Sequence, residues 1–426
     1  MKIKTEKTSY REAVAKTDLT HIKPKRPNRF FRMLMRSLSE GELKKVDFTY
    51  EMVGMDKLLK KEPCLILMNH SSFIDLKIVA KVFMDRPYNI VMTSDGFVGK
   101  EWLMRNLGCI PTKKFMMDTA LIKSISYCLH TLHDSVLMYP EASYSFDGTA
   151  TPLPESLGKC LKFLKVPVVM IRTQGAFLRD PLYNNLQTRD VKVSARVEYL
   201  LSKEDVQNRT VGELNEILAE QFSFDNFRIQ QEQKIEVKEA FRADGLNRVL
   251  YKCPHCMKEG EMKGKGVTLT CHHCNAAYRL SETGYLEGVG MKALFTHVPD
   301  WYRYERECVK QELINGTYEL NIPVDIRIMV NTKKIYEVGE GILTHTASGF
   351  HLTGADGEID YVQKPLASYS LYSDYYWYEI GDVICIGNHK ILYYCFPKTN
   401  SDVVAKARLA TEELYKLVKA KQISEA

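Results

Sequence analysis

Short apolar runs bounded by polar or turn residues recur from about residue 49, with helical patterns between them. The runs at 64–68, 88–93, 135–139, 166–172 and 191–199 read as strands, because short apolar stretches between turn signals suit a pleated, buried segment. The last run alternates Val191, Val193, Ala195, Val197 and Tyr199 with polar neighbours, which places it at a sheet edge with one wet face. Between the second and third runs, Asp118 is expected to cap a helix whose Leu121, Ile125, Cys128, Leu129 and Leu132 share one face, with Met116 and Met117 as core filler. Strands alternating with helices imply an α/β domain over 49–248, a mixed sheet flanked by helices.

The pattern differs at both ends. Residues 299–314 read as a helix stopped by Asn315-Gly316, inside a connector at 291–322. Its Trp301, Tyr302 and Tyr304 are expected to pack against the next domain rather than anchor at an interface. From 323 to 426 nine β runs follow, at 324–330, 333–337, 340–345, 349–353, 359–364, 368–372, 375–379, 382–387 and 390–396. One helix closes the chain, capped by Ser401, with Val403, Ala407, Ala410, Leu414 and Leu417 as its stripe. Strands closed by a single C-terminal helix resemble a pleckstrin-homology-type domain, on topology alone. At the other end, Asn28 caps a helix that sets Phe30, Phe31, Leu34 and Leu38 near one stripe and Arg29, Arg32 and Arg36 along another. Such a helix suits an anionic bilayer surface or docking on its own domain.

Charge sharpens that end of the picture. Residues 1–48 hold 13 Lys and Arg against 6 Asp and Glu, so a basic, partly amphipathic segment carries the formal net charge of +6. At 426 residues, 45% hydrophobic and 26% charged, the chain has room for two or three globular domains. No 18 apolar residues run together, so membrane association is expected to be peripheral. The 11 cysteines are odd in number and seven stand singly, and no N-terminal stretch resembles a signal peptide. A cytoplasmic location, on the cytoplasmic face of a membrane, is therefore expected.

Candidate chemistry begins just after the first apolar run, in Asn69-His70-Ser71-Ser72-Phe73-Ile74-Asp75. A histidine at a strand mouth with a carboxylate about one helical turn on can act as a base and its orienter, or as a capping residue beside a helix-face aspartate. Three further segments accompany it: Gly108-Cys109-Ile110-Pro111-Thr112-Lys113-Lys114, Tyr139-Pro140-Glu141-Ala142-Ser143-Tyr144-Ser145 and Val166-Pro167-Val168-Val169. Together the four resemble, in order and spacing, the sequence blocks of the glycerophospholipid acyltransferases, which include 1-acylglycerol-3-phosphate acyltransferase.

The resemblance implies that His70 is the general base for an acceptor hydroxyl, that Asp75 holds its imidazole and that Glu141 helps shape the acceptor site near His70. It implies direct attack on an acyl thioester without an acyl-enzyme, so Cys64 is read as strand core. Asn69, Ser143 and Tyr144 are counted with Glu141 as substrate contacts. Lys100, Arg105, Lys113 and Lys114 are candidate phosphate contacts, or else a solvated basic face. Ser71, Ser72 and the backbone N–H groups there are candidate oxyanion donors, or simple caps. Two departures from the family pattern bear on the acceptor. Tyr144 stands where the pattern Phe-Pro-Glu-Gly-Thr-Arg-Ser has its phosphate-binding arginine, and Lys114 replaces another arginine.

Cys253-Pro254-His255-Cys256 and Cys271-His272-His273-Cys274 form a second constellation, two C-x2-C knuckles fourteen residues apart. Four thiolates in that spacing imply a structural Zn²⁺ ribbon over 249–290, closed and therefore non-catalytic, with the three histidines facing solvent. Lys258, Lys263, Lys265 and Arg279 balance Glu259, Glu261, Glu282 and Glu287, so no nucleic-acid footprint is expected. The sequence thus predicts an O-acyltransferase that moves a fatty acyl group from acyl-CoA or acyl-carrier protein to a lysophospholipid or other lipid acceptor at a membrane surface. The alternative is a non-catalytic lipid-binding or scaffold protein on the same fold.

Overall fold

The computed structural model describes residues 2–18, 20–115, 119–399 and 402–425. Asp118, Met116, Met117 and Ser401, for which capping and core roles were expected, lie outside the described residues. The chain forms two compact units, one of residues 20–180 with 188–226, the other of 1–19, 181–187 and 227–426.

The first unit is built on seven strands: β1 (Thr49–Val53), β2 (Leu65–Met68), β3 (Tyr88–Thr93), β4 (Cys109–Thr112), β5 (Ser135–Met138), β6 (Val168–Gln174) and β7 (Ser194–Leu201). Their order is β1-β7-β6-β2-β5-β3-β4, and every pair is parallel except β6–β7. The sheet is therefore mixed, as expected. Strand β2 is buried along its whole length, because Ile66 and Met68 join the core on one face while Leu65 and Leu67 join the core on the other. The helices Arg29–Lys45 and Asp75–Val82 supply Leu43, Ile78 and Val79 to the first core. The helices Thr119–Tyr127, Leu157–Leu164 and Val211–Gln221 supply Ile125, Leu161 and Leu214 to the second.

One placement is corrected. The run containing Val193 and Val197 is not the edge strand, because β1 pairs along its outer side. Its polar alternation reflects one partly wet face. The true edges are β1, whose Thr49-Tyr50-Glu51-Met52 is exposed, and β4, where Pro111 is tolerated because an edge strand has a side that needs no N–H donor.

The second unit contains a four-stranded antiparallel ribbon, β8 (Met262–Lys265), β9 (Thr268–Cys271), β10 (Ala277–Leu280) and β11 (Leu286–Gly288), in the order β11-β10-β9-β8. Trp301, on the helix Val298–Ile314, is fully buried against Tyr278 at 4.9 Å and donates from Nε1 to the Lys252 carbonyl at 3.0 Å. These aromatic contacts therefore engage the preceding ribbon. Seven strands follow: β12 (Leu320–Met329), β13 (Ile335–Thr346), β14 (Gly349–Gly354), β15 (Ile359–Gln363), β16 (Tyr372–Trp377), β17 (Gly381–Gly387) and β18 (Leu392–Pro397). They form an antiparallel path β15-β14-β13-β12-β18-β17-β16, and the short N-terminal strand Thr5–Lys7 adds in parallel to β13. The helix Val404–Glu425 packs on β16 and β17 and beside the helix Val298–Ile314. Among the described residues no helix is long and apolar enough to cross a membrane.

Candidate active site

Parallel strands β2, β5, β3 and β4 end on one side of the sheet, so the loops that leave them share one rim. His70 leaves β2, Glu141 leaves β5 and Lys114 leaves β4. The neighbouring ends of β2 and β5 bring their loops into hydrogen-bond reach, and the His70 backbone N–H donates to Glu141 Oε2 at 2.9 Å. The other Glu141 oxygen accepts from the Thr151 N–H at 3.0 Å and the Thr151 hydroxyl at 3.2 Å. A buried carboxylate thus ties two loops. Burial pushes its pKa up to about 7 against those hydrogen bonds.

Asp75 opens the helix Asp75–Val82, where a negative charge is favoured by the helix dipole. Its Oδ2 accepts from His70 Nδ1 at 3.1 Å and from the backbone N–H groups of Ser71 and Ser72 at 2.9 and 3.1 Å. Three donors on one oxygen favour an ionised carboxylate, which assigns the proton to Nδ1 and leaves Nε2 with its lone pair. Burial lowers the His70 pKa, the Asp75 contact opposes that shift, and the charge of Lys114 adds to it. The imidazole is therefore neutral at pH 7. Tyr139 and Tyr144 both stack on it, with ring centroids 4.2 and 3.9 Å away, so they occupy its two faces. Phe73 extends the stack from Tyr144 at 5.4 Å.

Residues 49–173 match the family model described as Acyltransferase. This stretch is an acyltransferase domain. Among solved structures, the chain is similar to the 1-acyl-sn-glycerophosphate (LPA) acyltransferase, PlsC, from Thermotoga maritima, at 13% identity and a TM-score of 0.34, over 46% of this chain and 81% of that one. No curated protein matches the chain.

Within the acyltransferase domain, the residues expected at the site divide into two groups. His70, Asp75, Glu141 and Tyr144 come together, and Lys114 is close enough to bias His70. Arg105 lies in the last turn of the helix Glu101–Asn106, which leads back to the start of β4, and pairs with Glu101 at 2.9 Å. Lys100 begins the same helix, and Lys113 directly follows β4. Asn69 is buried and braces β2 to β6: Oδ1 accepts from the Thr173 N–H at 2.8 Å, and Nδ2 donates to the hydroxyls of Ser71 at 2.8 Å and Thr173 at 3.0 Å. Ser143 is buried and donates to the Tyr144 carbonyl at 3.3 Å.

The backbone N–H groups of Ser71 and Ser72, considered as oxyanion donors, are both engaged by Asp75, and the Ser72 hydroxyl donates to Asp180. Their role is to fix the loop. Cys64 is fully buried and its thiol is pushed up to about 11 by burial, as strand core should be. Tyr139, Thr151 and Asp180 were not anticipated. Only Tyr139 carried a local signal, since it directly precedes the Pro140-Glu141 pair.

In the second unit Cys253, Cys256, Cys271 and Cys274 bring their sulfurs within 4.8 Å of one another. Cys253 lies 3.6 Å from Cys274, and Cys256 lies 3.7 Å from Cys271. A tetrahedron of sulfurs about 2.3 Å from a central ion has edges of about 3.8 Å, so the cluster is sized to hold a metal. The two knuckles repeat one backbone design. The Met257 N–H donates to the Cys253 carbonyl and the Asn275 N–H to the Cys271 carbonyl, both at 2.9 Å, with Met257 and Asn275 at positive φ. His255, His272 and His273 are exposed, and His255 Nε2 lies 2.8 Å from the Tyr278 hydroxyl.

Proposed function

We propose that the chain transfers a fatty acyl group from acyl-CoA or acyl-carrier protein to a hydroxyl of a lysophospholipid or related lipid acceptor, with His70 as general base. The observation that carries this reading is the 3.1 Å contact between His70 Nδ1 and Asp75 Oδ2, inside an acyltransferase domain. A thioester is already activated, so the enzyme must chiefly align the alcohol and take its proton. The acceptor oxygen attacks the thioester carbonyl as its proton passes to Nε2. The C–S bond then breaks and the thiolate leaves, taking up a proton. Glu141 holds the loop that carries His70, and Lys114 is the basic residue at hand for an anionic headgroup.

Tyr144 determines which headgroup. Its ring covers one face of His70 where the resembled pattern has an arginine, so a phosphate monoester has lost a bidentate partner there. Tyr144→Arg is expected to raise kcat/KM for phosphate-monoester acceptors about tenfold relative to neutral or zwitterionic ones, measured by competing acceptors in one reaction. No change in that ratio would remove Tyr144 from acceptor choice.

The protein is proposed to work on the cytoplasmic face of a membrane. The helix Arg29–Lys45 docks on its own domain through Leu43, yet Phe30, Met33, Leu34 and Leu38 stay exposed beside its arginines, which supports an interfacial role for that outer face. Zn²⁺ is the metal proposed for the four cysteines, since four thiolates suit that ion. A pleckstrin-homology-like fold for β12–β18 is supported by the two successive meanders and the closing helix. The deciding experiment is product mass spectrometry with acyl-CoA and acyl-carrier protein, each against a panel of lysolipids. If folded protein gives no product, the second reading holds: a non-catalytic lipid-binding protein, which the aromatic cover on His70 favours.

A further inference from the structure

A cavity of about 420 Å³ opens in the first unit beside the helix Arg29–Lys45, and four arginines line it: Arg26, Arg29, Arg32 and Arg36. The last three fall at i, i+3 and i+7 on the helix, which sets them on one face. Asp85 is the one acidic residue on the wall. Partners from outside the wall satisfy only part of this charge. Arg26 pairs with Asp134 at 3.0 Å and Arg36 reaches Glu40 at 3.5 Å. Arg32 donates to the backbone carbonyls of Met84 and Arg86, at 2.9 and 2.6 Å, and Arg29 has no hydrogen-bond or ion-pair partner among the described residues.

Guanidinium groups in a concave, partly desolvated wall concentrate positive potential and match phosphate oxygens in a planar fork. Met33, Met35, Phe83 and Met84 complete an apolar flank, and Met33 is 71% exposed, so the cavity offers a charged wall beside an open apolar rim.

We propose that this cavity is a second, non-catalytic binding site for a phosphate ester with an apolar body, held by Arg29, Arg32 and Arg36. It uses no residue of the His70 site. The cavity meets Ala80 and Phe83 at the C-terminal end of the helix that Asp75 begins, about 12 Å along its axis. Tyr88, also on the cavity wall, stands at the start of β3, whereas His70 follows the end of β2, and β5 lies between those two strands. A phospholipid headgroup and a free phosphate share the chemistry that this wall reads.

The test is calorimetric titration of the full chain, with no acyl donor present, using monomeric dihexanoyl phosphatidylglycerol in one arm and inorganic phosphate in the other. Wild type and His70→Ala are expected to bind alike. Arg29→Gln with Arg36→Gln is expected to bind at least about tenfold more weakly, with unchanged thermal melting. Binding of the lipid alone assigns the site to a headgroup, and equal binding of inorganic phosphate assigns it to free phosphate. Failure of both ligands to bind wild type, or equal binding in wild type and the arginine variant, overturns the proposal. Neither result touches acyl transfer, which is read separately from product formation.

Discussion

Replacement of His70 by alanine is expected to lower acyl transfer about 10³-fold with the fold intact, because a positioned base contributes about 10²- to 10⁴-fold. Folding should survive, since the core contacts of this loop are made through the His70 backbone N–H and Glu141, which the substitution keeps. Asp75→Asn separates orientation from charge. An amide oxygen at the Oδ2 position still accepts from His70, Ser71 and Ser72, but the new NH₂ takes the place of Oδ1, which is buried without a partner. A loss of about tenfold is therefore expected, smaller than for His70→Ala, with the acid limb of the rate profile moved to lower pH.

That limb is expected below the ordinary histidine value of 6.5, because burial favours the neutral ring. Activity is expected to fall as pH drops through the lowered pKa and protonates Nε2. Glu141, pushed up to about 7 by burial, is expected to add a shallower inflection above it, which Glu141→Gln should remove. Stopped or initial-rate assays from pH 5 to 9 read all of this. Residual activity in His70→Ala equal to wild type would assign the chemistry elsewhere.

Much of this site was legible because its central contact is local. His70 and Asp75 are five residues apart, and a strand mouth followed by a helix start leaves that spacing little freedom. The aromatic cover was not legible. Tyr139 reaches His70 only because β5 lies beside β2 in parallel, an adjacency that the runs of apolar residues do not encode. The basic candidates separate for the same reason: Lys114 leaves a strand on the site's rim, while Arg105 precedes that strand on a returning helix.

Edge strands were hidden too. β1 escaped notice because Thr49-Tyr50-Glu51-Met52 is exposed and so lacks an apolar run. In the β-rich region the opposite error arises. The runs 333–337 and 340–345 are one strand, β13, interrupted in pattern by Gly339 at φ 130°, where its pairing with β12 shifts register. Likewise 368–372 and 375–379 resolve into one strand, β16, whose pairing is irregular between Asp374 and Trp377 with Tyr376 at φ 54°. Bulges change the period without ending the strand.

Metal removal is expected to have the largest structural effect. The ribbon's four strands are short, three or four residues each, and its fold is organised around the two knuckles. Structural zinc in such small elements contributes about 10–16 kcal/mol of apparent binding free energy, far above what sheets of this size hold alone. Purified protein should contain one equivalent of zinc. Cys253→Ser, or a strong chelator, should release it and expose the amides of 249–290 to hydrogen exchange. The damage should also reach the helix Val298–Ile314, because Trp301 is buried on Tyr278 and Lys252 bridges Glu259 and Glu312 at 3.2 and 3.1 Å. Trp301 fluorescence would shift to the red as that contact opens. The acyltransferase domain has its own sheet and two cores, so the amides of β2 and β5 should stay protected in the same sample. Protein prepared without chelators that holds no metal, yet keeps 249–290 protected, would show that the four thiols fold the ribbon unaided.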